Sequence, residues 1–160
     1  MSAKKIMIAL ASVILATGAI AAEHNHSHAH EAHGAPAKLT LDDGKKWETD
    51  APLRAGMENI RETMAASLHE IHDNKLSPEK YATLASKVNV EVANIVANCK
   101  LNPKADAQLH LVIADIVTGA EAMEGKNRKL KRQGGAIKVL GALDKYGAYF
   151  EDPGWKPIKH

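Results

Sequence analysis

The sequence predicts an all-α fold: an antiparallel up-down-up-down four-helix bundle preceded by a disordered His-rich arm. Three observations carry this reading. Segments after position 49 repeat apolar residues every three or four positions, the period of one helix face. Short turns rich in Gly, Pro, Asn and Asp separate them, and helices joined in that way pack as antiparallel neighbours. No stretch sustains the apolar–polar alternation of a strand. The organisation that follows is a signal peptide over 1–22, a flexible arm and extended linker over 23–48, the bundle over 49–152 and a tail over 153–160.

The leader opens the chain. Lys4 and Lys5 give a basic start, Ile6 to Ala16 is apolar apart from Ser12, and small residues follow from Thr17 to Ala22. The run is too short to span a bilayer and ends as signal peptides end, with a cut after Ala21 or after Ala22. Export to a bacterial periplasm is the expected outcome, with no stable membrane anchor left after cleavage. Of 21 Lys and Arg against 19 Asp and Glu, the leader takes Lys4 and Lys5, leaving 19 against 19. That balance gives no reason to expect nucleic acid as a partner. Cys99 is the single cysteine, so no internal disulfide can form.

The arm comes next. Glu23 to Gly34 holds five of the nine histidines, His24, His26, His28, His30 and His33. It has no apolar residue larger than alanine and cannot build a core, so disorder without metal is expected. Neutral imidazole ligates copper, zinc and nickel, and alternate spacing lets a flexible backbone wrap the rings around one ion. A cut after Ala21 would also leave His24 third in the chain, the arrangement in which amine, two amides and imidazole form a square-planar nitrogen set. Leu39 and Leu41 then alternate with polar residues before a turn at Asp42-Asp43-Gly44, which reads as an extended segment without a partner strand.

The helices follow in order. The first runs from about Asp50 to Asp73, with Pro52 in its first turn and a stripe of Leu53, Met57, Ile60, Met64, Leu68 and Ile71. Ser77-Pro78-Glu79 restarts a helix striped by Tyr81, Leu84, Val88, Val92, Ile95 and Cys99. Asn102-Pro103 starts the third, with Leu109, Val112, Ile116, Ala120 and Met123 on its face and Gly125 as its stop. Gly134-Gly135 interrupts the fourth, whose pattern recovers from Ala136 to Phe150 with Val139, Leu143, Tyr146 and Phe150. Asp152-Pro153-Gly154 ends it.

Over roughly Asp50 to Phe150 this architecture resembles the soluble periplasmic four-helix cytochromes of the b type and the c-prime type. In the b-type family a methionine early on the first helix and a histidine late on the fourth ligate haem. Met57 matches the methionine, but the fourth helix offers Tyr146 and Tyr149 and no histidine. The c-prime family carries Cys-x-x-Cys-His on its last helix, which one cysteine on the second helix cannot supply. The resemblance therefore implies the architecture, and haem is not expected. The segment Trp47 to Met57 is also similar to small exported proteins of denitrifying bacteria, a likeness that implies no activity.

Other residues offer chemistry. His69 and His72 lie three apart on one flank of the first helix, half of a metal site that another helix would complete, or two solvated imidazoles near a helix end. Met57, Cys99 and His110 would form a soft Cu(I) pocket if all three pointed inward, although Leu109 and Val112 on the third stripe turn His110 to a flank. Trp47 and Trp155 are expected to pack over that end of the bundle and shield the core where the helices splay. Lys126 to Arg132 holds five basic residues, either a solvated loop or a surface for an acidic partner or a membrane. No nucleophile–base pair, phosphate loop or His-Glu-x-x-His occurs, so an enzyme is not expected. The function the sequence favours is periplasmic binding of copper, or of zinc or nickel, by the His-rich arm with His69 and His72 as further ligands. The alternatives are a helical bundle that docks a periplasmic protein and has no metal role, and a haem-related electron-transfer bundle.

Overall fold

Three of the four long helices begin where a short polar side chain takes up unpaired amides of the first turn. In the computed structural model, which describes residues 38–159, Asp50 accepts from the Leu53 amide at 2.9 Å and opens α1, Ala51–Ala65. A short α2, Leu68–His72, follows. Ser77 caps α3, Pro78–Asn98, and Asn102 caps α4, Pro103–Glu124, each with a proline in the first turn. Gly125, at φ 82°, closes α4 in the left-handed conformation, with its amide on Ala122 and that of Lys126 on the Glu121 carbonyl. The last helix, α5, is Arg132–Tyr149. Architecture is all-helical: the described residues hold these five helices and two isolated bridges, Asp42 with Lys45 and Trp47 with Phe150.

The expected first helix, from about Asp50 to Asp73, is two helices. The Ser67 amide bonds the Met64 carbonyl at 3.1 Å, a tightened turn, and Ser67 sits at φ −114°, ψ 7° outside helical geometry. Serine is a weak helix former, and because only this short turn departs, the apolar face carries across it. Met64 and Ile71 are both fully buried. The start of the last helix also differs from expectation. It does not wait for Ala136 but runs through Gly134-Gly135, because the missing side chains let two helices touch. A Cβ on Gly135 would lie 2.5 Å from the Gly119 carbonyl oxygen of α4, and one on Gly119 would lie 2.6 Å from that of Gly135. Gly119 and Gly135 allow this close approach in the α4–α5 packing, the most extensive between the described helices.

Packing then runs α1 on α3, α3 on α4 and α4 on α5, with smaller contacts of α5 to α1, α2 and α3. The apolar stripes meet in one core that holds Leu53, Met57, Ile60, Tyr81, Val88, Ile95, Leu109, Ile116, Val139, Leu143 and Phe150. Hydrogen bonds identify what gathers at each end. The Asp50 carboxylate also accepts from the Lys100 amide at 2.6 Å, and the Thr49 hydroxyl donates to the Glu151 carbonyl at 2.6 Å. The start of α1, the α3–α4 turn and the end of α5 therefore adjoin. At the other end the Gln133 side chain donates to the carbonyls of Ile71, at 2.9 Å, and His72, at 3.3 Å. No described helix is long and apolar enough to cross a membrane.

Candidate metal centre

The histidines that bear most weight in the sequence, His24, His26, His28, His30 and His33, lie outside the described residues, as does the leader. What the structure does describe is the root of that arm. The Thr40 amide donates to the Gln108 side chain of α4 at 2.8 Å. The Trp47 indole N–H donates to the Thr40 carbonyl at 2.6 Å, its amide to the Tyr149 carbonyl at 2.8 Å, and its carbonyl accepts from the Glu151 amide at 2.8 Å. Lys46 Nζ reaches the Gly147 carbonyl at 2.7 Å. Trp47 is only 6% exposed. The expected extended segment thus has a partner after all, the backbone around Phe150, held by a bridge too short to be a strand. Sequence could not indicate Gln108 as a tether, because it acts through a single bond to Thr40, far away in the chain.

Trp155 closes the same end. Its ring meets Tyr146 edge-on at 4.8 Å, Tyr146 stacks on Phe150 at 5.5 Å, and the Tyr146 hydroxyl donates to Asp152 at 3.0 Å. Burial, and after it the Asp152 charge, push the Tyr146 phenol well above its ordinary pKa, so it stays a neutral donor.

His69 and His72 sit on α2 and both are exposed. His69, with its side chain 88% exposed, holds Nε2 3.4 Å from Asp73 Oδ2, the same oxygen that takes Lys75 Nζ at 2.6 Å. That carboxylate is therefore shared with an ammonium and is a poor third ligand. Among the described residues no three His, Cys, Asp or Glu side chains converge as a metal site.

The soft pocket of Met57, Cys99 and His110 is not built. Met57 is fully buried, as are Met64 and Met123. His110 has its side chain 72% exposed, with Nδ1 2.8 Å from the Asp106 carbonyl oxygen and 3.4 Å from its carboxylate. Buried Leu109 and Val112 on either side hold it on the flank. Cys99 and His110 do share a pocket of about 160 Å³ with Ile95, Val96, Asp106, Leu109 and Ile113, and Met57 is not in its lining. The Cys99 thiol is pushed up to about 12 by burial first, then by the charge and hydrogen bond of Asp50. A thiol so placed is a protonated donor, neither nucleophile nor ready ligand near neutrality.

No family model, curated protein or solved structure matches the chain.

Proposed function

We propose that this chain is a non-enzymatic, exported metal-binding protein of the periplasm. In this reading the leader is removed, and His24, His26, His28, His30 and His33 capture copper, or zinc or nickel. The helical body is the carrier, an up-down-up-down four-helix bundle in which α1 and α2 together form the first leg. The bonds from Asp50 to Lys100 and from Gln133 to Ile71 and His72 support that topology, since they join the chain segments that such a path brings to each end.

The observation that carries the reading is the spacing of those five imidazoles between positions 24 and 33. Support comes from the fastening of the segment behind them. Thr40 is bonded to Gln108, seven residues after His33, so an ion held at His33 stays within roughly 25 Å of that anchor at full extension. His69 and His72 are accessory: two imidazoles on a short exposed helix add a weak second site.

The test is metal analysis of untagged protein purified from the periplasm, beside a variant with the five arm histidines changed to alanine. Copper, zinc or nickel near one ion per chain is expected in the parent and a loss of most of it in the variant. Equal metal in both, or none in either, would sink the reading.

A further inference from the structure

Most charges on the α2–α5 end of the molecule are answered nearby. Lys75 pairs with Asp73 at 2.6 Å, Lys80 with Glu70 at 2.7 Å and Lys126 with Glu124 at 2.7 Å. Arg132 folds back on the Met123 carbonyl and its charge is felt by Glu79. Glu121 faces Lys126 from α4. Three cations remain. Arg128, Lys129 and Lys131 are exposed, and among the described residues none of them makes an ion pair. They occupy one turn of the loop between Gly125 and α5. Its apolar residue, Leu130, is half-buried over the first turn of α5, where a Cβ on Gly134 would lie 2.7 Å from Leu130 Cδ1.

We infer that Arg128, Lys129 and Lys131 form a reversible docking surface for an anionic phospholipid membrane, with lipid phosphates as the ligand. Shape selects this occupant over an acidic protein. A specific protein interface is anchored by aromatic or apolar side chains seated in pockets, and the one such residue of this loop lies half-buried against the helix that follows it. A lipid surface is a fluid array of phosphates that asks for unpaired, long-armed cations and no fixed shape. Attachment of this kind is peripheral and salt-sensitive. It is independent of metal capture.

The experiment is cosedimentation of the full exported chain with phosphatidylcholine vesicles, with and without phosphatidylglycerol. It is run at about pH 8, where the arm's imidazoles are neutral. Binding is expected only with phosphatidylglycerol and is lost as salt rises to about 0.5 M. At about fivefold per cation, Arg128→Gln with Lys129→Gln and Lys131→Gln weakens binding about a hundredfold, and Arg128→Gln alone about fivefold. Lys100→Gln with Lys104→Gln, at the other end of α4, changes it less than about twofold. Three results would overturn the inference. They are equal binding to phosphatidylcholine alone, a triple variant no weaker than the Lys100/Lys104 control, and binding to soluble polyglutamate without binding to the vesicles. The last would assign the loop to an acidic protein.

Discussion

At the scale of single residues, the α4–α5 contact rests on two missing side chains. A methyl group on Gly135 would sit 2.5 Å from the Gly119 carbonyl oxygen and 2.7 Å from Ala122 Cβ. Backbone cannot yield as a flexible side-chain tip can, so the helices must separate. Gly135→Ala is expected to destabilise the fold by about 1–3 kcal/mol in urea titration, the usual range for an overpacked core. Gly141 lies in the same helix with nothing within 4 Å of its added Cβ. There alanine gains helix propensity without a clash, and Gly141→Ala should stabilise by up to about 1 kcal/mol. If Gly135→Ala and Gly141→Ala behaved alike, propensity and not helix approach would govern both. The sequence displays each glycine equally; only the neighbouring helix distinguishes them. That is why Gly134-Gly135 reads as an interruption along the chain, while in the folded protein Gly135 is where the backbones of α4 and α5 approach closely.

At the scale of elements, the starts of α1, α3 and α4 are the most legible part of the chain. Asp50, Ser77 and Asn102, each followed by proline within two residues, act through bonds spanning three residues or fewer, so a local reading reaches them. The Ser67 break was hidden because the stripe from Met64 to Ile71 keeps its period across it. Asp50 does more than its sequence suggests. Its carboxylate accepts from Leu53 and, across the molecule, from Lys100. Burial works against the charge, but those hydrogen bonds and one from the Cys99 thiol outweigh it and hold the carboxyl below its usual range. A folded-state pKa below the unfolded one means that Asp50 stabilises the fold above the ordinary carboxylate pKa. That contribution is lost as pH falls through the lower, folded value. Asp50→Ala is expected to cost about 1–2 kcal/mol near neutral pH. The difference from the parent should shrink below about pH 4. A difference that stayed constant down to about pH 2 would mean the carboxylate's charge contributes nothing.

At the scale of the whole molecule, the five proposed arm ligands and the folded body belong to different parts of the chain, and thermodynamics can read that separation. A ligand raises the unfolding temperature only when it binds the folded state better than the unfolded one. On the proposed reading, the arm histidines would bind equally well before and after the helices melt. The candidate site in the described residues was legible only in outline. The spacing of His69 and His72 is visible in the sequence, but the exposure of His110 and the sharing of Asp73 with Lys75 depend on packing and on a neighbouring turn. If the arm is the metal site, saturating Zn(II) at about pH 7.5 should bind by calorimetry and yet leave the melting temperature within about 1 °C. Binding itself should fall steeply toward pH 5, since protons take the imidazoles below a pKa of about 6.5. A metal-dependent rise of several degrees would instead require ligands fixed by the fold, with His69, His72 or the Cys99–His110 pocket as the places to look. The variant lacking the five arm histidines separates the two: it should keep the parent's melting temperature and lose the calorimetric signal. Retention of that signal, together with a metal-dependent melting shift, would move the site from the arm into the helices.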